Sequence, residues 1–432
     1  MRKILFLSLF LSAISWSAPV KLIFWHSMTG EKGKLLGLLT EEFNKSPKIL
    51  GHFEVVPQFV GTYEEGLNKL RTALLAKQGP HVAQITDIGT QVMIDTRAVV
   101  PLQEFIDKDL EFPIKELLLP IRRYYEVQGK IYSLPFATSN PILYYNVDAF
   151  EKAGLSRAPK TFSELKEWAR KLTDPAQKKS GVTWPLSSWF FEQFIARQGQ
   201  ILINQQNGRA GRASEALYLT PEAIRFVNLW RDMVKEGTFS NLGRGWDPAE
   251  ASFLAQRTAI MLHSTSDVFE VVRKATFRVS TAPIPMADET KVGGTVVGGN
   301  SLWLLKDKPS EEIYGSYLFI KHMASKEVQK RWHMGTGYFP IREDLIKELE
   351  KEGFYQRFPA AKTAIDQLKS SAIIPATQGA LMGVFAEARD QVESAIERVL
   401  AERMTVEEAL QRAKIQTDDS LRRYNRFLEK LK

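Results

Sequence analysis

The spacing of apolar positions switches between strand-like and helical over the first hundred residues. Residues 20–25 form a short apolar run, and leucines then recur at helical intervals until Pro47. A second apolar segment covers residues 53–59, a leucine-faced helix follows, and residues 81–86 form a third apolar segment. This strand–helix alternation predicts an α/β fold with a parallel sheet covered by helices on both faces.

Several helix boundaries carry recognisable capping residues. Thr62 with Glu65, and Thr161 with Glu164, have the spacing of a capping box, in which a hydroxyl and a carboxylate satisfy exposed backbone donors. A third helix is predicted after Thr220, with Ile224, Val227, Trp230 and Val234 on its apolar face. The patterns further predict a strand over 301–305, a helix over 313–323, and a wholly helical chain after Pro375.

The first residues have the pattern of a secretory signal. Arg2 and Lys3 precede an apolar run that is too short to span a bilayer, and small residues surround Trp16. We therefore expect residues 1–17 to be a cleavable signal peptide and Ala18 to begin the mature chain. The chain has no cysteine, so it can carry neither a disulfide nor a lipid-modified N-terminal cysteine. These features predict an exported periplasmic protein that is not a lipoprotein.

Length and charge narrow the class of protein further. The 432 residues, with 44% hydrophobic content, are enough for two packed domains. The formal net charge is +8, but basic residues are interspersed with acidic ones, so no nucleic-acid partner is expected. No linker rich in glycine or serine separates two halves. We therefore expect the chain to cross between two domains several times.

Two polar residues follow successive predicted strands. Tyr63 lies at a capped helix start after the second strand, where free N–H groups favour an anion, and Asp87 directly follows the third. Ligands of open parallel sheets bind beyond the carboxyl ends of the strands. Tyr63 and Asp87 are therefore candidate ligand-binding residues.

Known catalytic motifs are missing from the sequence. There is no phosphate-binding loop ending in Gly-Lys-Ser/Thr, no Gly-x-Ser-x-Gly, and no metal-ligand spacing among the six histidines. Gly293, Gly294, Gly298 and Gly299 cluster without forming a dinucleotide-binding motif, and they indicate turns and a close backbone approach. We expect no catalytic residues, no metal site and no cofactor, although paired carboxylates of a hydrolase would leave no fixed spacing.

Specific motifs along most of the chain resemble one family. They are Phe24-Trp25-His26-Ser27-Met28, Tyr63-Glu64, the stretch PFATSNPILYYN at 135–146, Gly298-Gly299 with Ser301-Leu302-Trp303, Trp332-His333, and Gly335-Thr336-Gly337-Tyr338. The chain resembles the periplasmic solute-binding proteins of ABC uptake systems, in their glycerol-3-phosphate-binding branch. This resemblance implies two α/β lobes with hinge crossings, a ligand trapped by lobe closure, and delivery of that ligand to membrane permease subunits by a monomeric protein.

The resemblance also implies a set of ligand-binding residues. Those residues are Tyr63, Asp87, Ser139, Trp189, Ser264, Gly299, Tyr338 and Arg389. Asp87 stands where the family has a glutamate, and Trp189 is preferred to Trp184 as the tryptophan that stacks on the ligand. The residues alone favour a surface ion pair of Arg389 with Glu393, whereas the resemblance implies that Arg389 holds a phosphate.

We expect residues 18–137 and 277–325 to form the first lobe, and residues 138–276 and 326–432 the second. The hinge crossings are expected near residues 137–141, 275–278 and 323–326. The leading functional hypothesis is a binder of glycerol-3-phosphate or a glycerophosphodiester. The alternatives are a binder of neutral mono- or oligosaccharides and an exported hydrolase.

Overall fold

The computed structural model describes residues 18–430. The predicted signal peptide, residues 1–17, lies outside the described residues. The strands of this part of the chain are β1 (Val20–His26), β2 (Phe53–Phe59), β3 (Val82–Thr86), β4 (Val99–Val100), β5 (Glu126–Val127), β6 (Lys130–Ile131), β7 (Ser133–Ser139), β8 (Pro141–Asn146), β9 (Ser180–Thr183), β10 (Thr258–Ser264), β11 (Val279–Ala282) and β12 (Gly298–Leu305).

The helices account for most of the remaining chain. They are α1 (Gly30–Lys45), α2 (Tyr63–Leu75), α3 (Thr90–Thr96), α4 (Gln103–Ile106), α5 (Leu119–Tyr125), α6 (Val147–Lys152), α7 (Phe162–Leu172), α8 (Ser188–Arg197), α9 (Asn204–Gly208), α10 (Pro221–Lys235), α11 (Trp246–Leu254), α12 (Val268–Lys274), α13 (Ser310–Met323), α14 (Lys326–Thr336), α15 (Glu343–Lys351), α16 (Phe354–Arg357), α17 (Thr363–Lys369), α18 (Phe385–Leu400) and α19 (Val406–Lys430).

Two separate sheets define two α/β lobes. The first sheet has the order β2-β1-β3-β12-β4, and β7 also pairs with β12. The second has the order β11-β8-β10-β9. Only β12 in the first sheet and β8 in the second run against the other strands. The predicted two-lobe α/β fold, with mostly parallel sheets flanked by helices, is confirmed.

Two large apolar clusters pack on the sheets. Leu22, Phe24 and Leu302 of the first sheet are buried in one large cluster. Leu143 and Ile260 of the second sheet are buried in another, which also contains residues from α8, α10, α18 and α19. The first cluster also includes Met261 of the second sheet, so apolar packing reaches both lobes of a chain that has no disulfides.

Several local predictions are confirmed. The capping box at the start of α2 is complete, because Glu65 N–H donates to Thr62 Oγ1 and Thr62 N–H donates to Glu65 Oε2. The first three strands lie where the apolar runs placed them, within one residue. Pro221 opens α10 after the Thr220 cap. The apolar face of this helix is rotated from the prediction, since Phe226 and Met233 are fully buried while Ile224 and Val234 are half-buried.

Two further predictions of local structure are wrong. The Thr161 hydroxyl caps α7, but the Glu164 carboxylate turns away from it to bind the Lys160 N–H and the guanidinium of Arg157. A charged partner outcompetes the neutral N–H that would complete the box. The chain after Pro375 is also not wholly helical, because 375–384 consists of turns and extended backbone before α18 begins at Phe385.

The sheets also locate where the chain passes between lobes. β7 of the first sheet is followed after one residue, Asn140, by β8 of the second, as predicted. The return passage lies between Ala282 and Gly298, because β11 pairs with β8 in the second sheet. The prediction placed residues 279–282 in the first lobe, since a four-residue half-buried strand carries no clear periodicity. Helix α14 contacts both α1 and α12, so the third boundary stays a prediction.

Candidate ligand-binding site

Tyr63 begins helix α2, and its hydroxyl reaches Asn300 of strand β12. Its hydroxyl accepts a hydrogen bond from Asn300 Nδ2 at 2.8 Å. Burial raises the pKa of Tyr63 well above its ordinary value, so the hydroxyl is neutral and can donate a proton to a ligand. Glu64 and Glu65 occupy the first turn of α2. Their carboxylates therefore already interact with the positive end of the helix dipole, which was predicted to favour a ligand anion here.

Asp87 directly follows β3, as predicted, and its carboxylate is buried. Thr86 Oγ1 donates to Asp87 Oδ1 at 2.9 Å, and the hydroxyl of Tyr124 donates to Oδ2 at 3.3 Å. Burial raises the pKa of Asp87, while the nearby Arg389 charge opposes this shift. Thr86 lies opposite Asn300 in the sheet, so Asp87 and Tyr63 both lie near the first residues of β12.

Arg389 projects from α18 towards two carboxylates. Its Nε donates to Glu192 Oε1 at 2.6 Å and its Nη2 to Glu192 Oε2 at 2.9 Å, while Nη2 also lies 3.8 Å from Asp87 Oδ2. Burial raises the pKa of Glu192 and would lower that of Arg389, but the two carboxylates raise the pKa of Arg389 instead. Glu393, the surface partner that the residues alone favoured, instead accepts hydrogen bonds from Ser188 and pairs with Arg244.

Trp189 lies beside the glycine pair of β12. A methyl group at Gly298 would come within 2.8 Å of Trp189 Cζ2, so the indole packs directly on the strand backbone. The ring also lies 5.6 Å from that of Trp246. Trp184 is fully buried in the second core against Trp230 and Phe239. Only Trp189 of the two candidates therefore borders the predicted site.

Gly299 and Ser139 lie on the paired strands β12 and β7, one residue out of register with each other. Gly299 has φ +103°, and a Cβ atom there would lie 1.9 Å from the carbonyl oxygen of Ala137. Only glycine allows both this conformation and this approach. Ser139 pairs with Gly298 and is buried. A shift of register at Asn300 marks a β-bulge, a common device beside functional sites.

Ser264 and Tyr338 contribute hydroxyls from the far side of the cleft. The Ser264 hydroxyl lies 3.0 Å from that of Ser266 and accepts the Ser266 N–H at 3.2 Å. Tyr338 follows α14 and interacts through its hydroxyl with Tyr63 and Ser266. Burial raises the pKa of Tyr338 to about 12, so this hydroxyl is also neutral. These contacts join elements of both lobes.

A lysine bridges the same region. Lys32 Nζ lies 2.7 Å from Asp267 Oδ1 and 5.4 Å from the centre of the Tyr338 ring. Burial would raise the pKa of Asp267, but His263 and Lys32 together hold it well below its ordinary value. Because Lys32 lies on α1 and Asp267 follows β10, this ion pair also connects the two lobes.

The structure brings all eight predicted site residues to one region between the sheets. The sequence interpretation missed residues that contact them: Glu192, Asn300, Tyr124, Ser266 and Lys32. A signal for Glu192 was present, since it is the one charged side chain in the run Ser188 to Ala196 and lies one helical turn from Trp189. Asn300 and Tyr124 carried no comparable signal, because ordinary sheet and helix residues explain both.

Comparison with known proteins gives the family. Residues 39–363 match the profile of bacterial extracellular solute-binding proteins. The chain is 30% identical over 415 residues to the sn-glycerol-3-phosphate-binding periplasmic protein UgpB of Yersinia pestis, covering 94% of this chain and 93% of that protein. It is likewise 30% identical to UgpB of Salmonella typhimurium, covering 93% of each chain.

The chain belongs to the bacterial extracellular solute-binding protein family. Solved structures share its fold. UgpB from Mycobacterium tuberculosis in complex with glycerophosphocholine superposes with a TM-score of 0.74 at 21% identity, covering 94% of this chain and 100% of that one. The substrate-binding protein Lmo0181 from Listeria monocytogenes in complex with cycloalternan gives 0.77 at 18% identity, covering 94% and 99%.

Two further observations concern this solute-binding protein. None of the helices in the described part of the chain is long and apolar enough to cross a lipid bilayer. Over the same residues, 18–430, no three histidine, aspartate or glutamate side chains cluster in a way that could hold a metal ion.

Proposed function

We propose that this protein captures glycerol-3-phosphate or a glycerophosphodiester between its lobes and delivers it to the permease of an ABC importer. The observation that carries this proposal is the buried Arg389 guanidinium, which lies between Glu192 and Asp87 beside the strand that Tyr63 also reaches. The UgpB relatives, which are named for glycerol-3-phosphate binding, support the same choice.

The proposed roles follow from the chemistry of each group. The Arg389 guanidinium binds the phosphate, because it is permanently charged and Glu192 leaves some of its N–H donors available. The hydroxyls of Tyr63, Ser139, Ser264 and Tyr338 and the N–H of Gly299 add neutral donors. Asp87 accepts hydrogen bonds from glycerol hydroxyls, and Trp189 packs on the carbon skeleton.

A neutral sugar is the second candidate ligand. The observation that favours it is the pair of buried carboxylates, Asp87 and Glu192, which already compensate the Arg389 charge. Carboxylates accept hydrogen bonds from sugar hydroxyls, and the adjacent Trp189 and Trp246 rings offer a stacking surface.

Calorimetric titration distinguishes the two candidates. Protein freed of bound solute by unfolding and refolding is titrated with glycerol-3-phosphate, glycerophosphocholine and maltose at one ionic strength. We expect both phosphate esters to bind and maltose not to bind. Heat from maltose alone would contradict the phosphate-ester proposal and favour the sugar.

We further propose that the protein acts without catalysis, as a periplasmic monomer released by cleavage before Ala18. Incubation with a glycerophosphodiester should deplete the free ligand without forming product. Intact-mass measurement of periplasmic extract should give a chain starting at Ala18. A retained leader, an attached lipid or released glycerol would contradict these points.

We also propose that the two lobes close on the ligand. The lobes are divided as predicted, except that residues 279–282 belong with the second sheet. A hinge motion about Asn140 and the other crossings would enclose the ligand. Small-angle scattering with and without bound ester should show compaction on binding. Identical profiles would count against closure.

A further inference from the structure

Glu192 is a buried charge in an otherwise uncharged stretch of helix. Helix α8 is buried along its whole length, and Glu192 itself is 6% exposed. A buried carboxylate is unfavourable unless a cation compensates it. Arg389 supplies that cation from α18, through two hydrogen bonds of 2.6 and 2.9 Å.

This contact occupies one edge of the guanidinium. Nε and one N–H of Nη2 bind Glu192, and Nη2 also lies near Asp87 Oδ2. Within residues 18–430, no hydrogen bond or ion pair involves Arg389 Nη1. A ligand phosphate therefore finds the Nη1 edge open, while the two-pronged Nε/Nη2 edge is already bound to an anion.

The charges of the cluster point the same way. Asp87 and Glu192 carry one negative charge each when ionised, and Arg389 carries one positive charge, so the three groups together carry one net negative charge. A phosphate diester adds one negative charge to this cluster, and a monoester at neutral or higher pH adds close to two. The second charge of the monoester would lie near the buried Glu192 carboxylate, where repulsion between charges is weakly screened.

From this arrangement we infer that Glu192 is a specificity-determining residue that favours monoanionic phosphodiesters over dianionic phosphate monoesters. The inference rests on the proposed phosphate-ester function. A diester offers two unesterified oxygens and needs only the Nη1 edge. A monoester reaches its full binding strength only by displacing Glu192 from the Nε/Nη2 edge of Arg389.

The test compares one monoester and one diester at a single pH. Glycerol-3-phosphate and glycerophosphoglycerol are titrated calorimetrically at pH 8, where the monoester is dianionic and the diester carries a single charge. The parent protein should prefer the diester. In Glu192→Gln that preference should fall at least about tenfold, mainly through tighter monoester binding, because one repelling charge is removed.

Two further variants make the result decisive. Glu192→Met removes the same charge without an amide, so it should shift the preference in the same direction even if the glutamine variant is poorly folded. Glu397→Gln removes a charge about two turns along α18 from Arg389, and Glu397 pairs with Arg244 rather than with the guanidinium. In this control variant the preference for the diester over the monoester should stay within about threefold of that of the parent protein.

The outcomes are distinguishable. If both esters weaken equally in Glu192→Gln and Glu192→Met, Glu192 only positions Arg389 and the inference is wrong. A parent that binds both esters equally also overturns it, while the proposed function stands. A parent that binds neither ester, but binds maltose, overturns the proposed function and this inference together.

Discussion

Replacing Arg389 with alanine is the most direct test of the site. The change removes the cation that lies between Glu192 and Asp87 and would, in our proposal, hold the phosphate. Truncating one partner of a charge pair shielded from water costs about 2–5 kcal/mol in binding. At 1.4 kcal/mol per tenfold change in affinity, phosphate-ester binding should weaken at least about thirtyfold.

The same substitution should also lower the stability of the empty protein. Arg389 compensates a buried glutamate, and removing one partner of a fully buried pair costs about 3–5 kcal/mol. Because the Arg389 side chain is 21% exposed, we expect a smaller loss of about 2–3 kcal/mol in the free energy of unfolding. A cleft arginine without such a partner would leave stability unchanged.

The sign of the pH dependence follows from the carboxylates. In Arg389→Ala the pKa values of Glu192 and Asp87 should rise further above their unfolded values of about 4.3 and 3.9. The folded variant then binds more protons than the unfolded chain, so its stability falls as the pH rises through the folded pKa values. The stability deficit should therefore be larger at pH 8 than at pH 5.

Calorimetry and urea unfolding at both pH values measure these effects. Arg389→Lys should recover part of the affinity, since the ammonium keeps the charge but not the fork. Arg398→Ala, on the same helix but without a side-chain contact to the site, is the matched control and should bind like the parent. If Arg389→Ala bound glycerol-3-phosphate as tightly as the parent, the assignment of Arg389 to the phosphate would be refuted.

Three further predictions concern other parts of the structure. Gly299→Ala should destabilise the protein by about 2 kcal/mol or more in urea unfolding and weaken ester binding, because the new Cβ would meet the Ala137 carbonyl at 1.9 Å. The pKa of Asp267 is lowered in the folded protein, so its carboxylate stabilises the fold above about pH 3.9, and this stability is lost as the pH falls. In Asp267→Asn the free energy of unfolding should therefore depend less steeply on pH below about pH 4. Asp95 pairs with Arg212 of the other lobe at 2.5 Å, so this ion pair holds the two lobes together. Asp95→Asn should therefore weaken ligand binding by about 1 kcal/mol, because the closed arrangement that encloses the ligand loses this contact.

Matched controls accompany these variants. Gly37→Ala lies within α1, where a new Cβ meets nothing within 4 Å, and should be neutral or slightly stabilising. Glu270→Gln removes a half-exposed charge near Asp267 in sequence and should leave the acid limb of the stability curve unchanged. Equal losses in Gly299→Ala and Gly37→Ala, an unaltered acid limb in Asp267→Asn, or unchanged ligand affinity in Asp95→Asn would contradict the respective arguments.

Local patterns determined much of the fold in advance. The first three strands, the α2 capping box and the positions of Tyr63 and Asp87 after successive strands were all readable, because each depends on near neighbours in the chain. The rest of the predicted site came from a family resemblance. Gly299 and Ser139, for example, meet only through the antiparallel β7–β12 pairing, which no spacing within the sequence expresses.

The missed features depend on contacts between distant residues. Glu192 and Arg389 lie on different helices, and neither helix indicates the other as a partner. Strand β11 was assigned to the wrong lobe because its residues are all half-buried at a sheet edge, which gives no alternation. The predicted apolar face of α10 was rotated because the helix carries apolar residues around more of its surface than its single core covers, and only packing shows which of them are buried.

The two connections between the sheets differ greatly in length. Asn140 alone joins β7 to β8, and its backbone exchanges hydrogen bonds with Thr265 while its side chain binds the Ala364 carbonyl. The return passage uses the whole stretch 283–297. The first connection is thus a single residue held by hydrogen bonds, whereas the second is a longer segment that is buried near both ends and exposed around Val292. A residue inserted beside Asn140 would turn every side chain of one strand to the opposite face, whereas the same insertion near residue 290 would be absorbed by the loop.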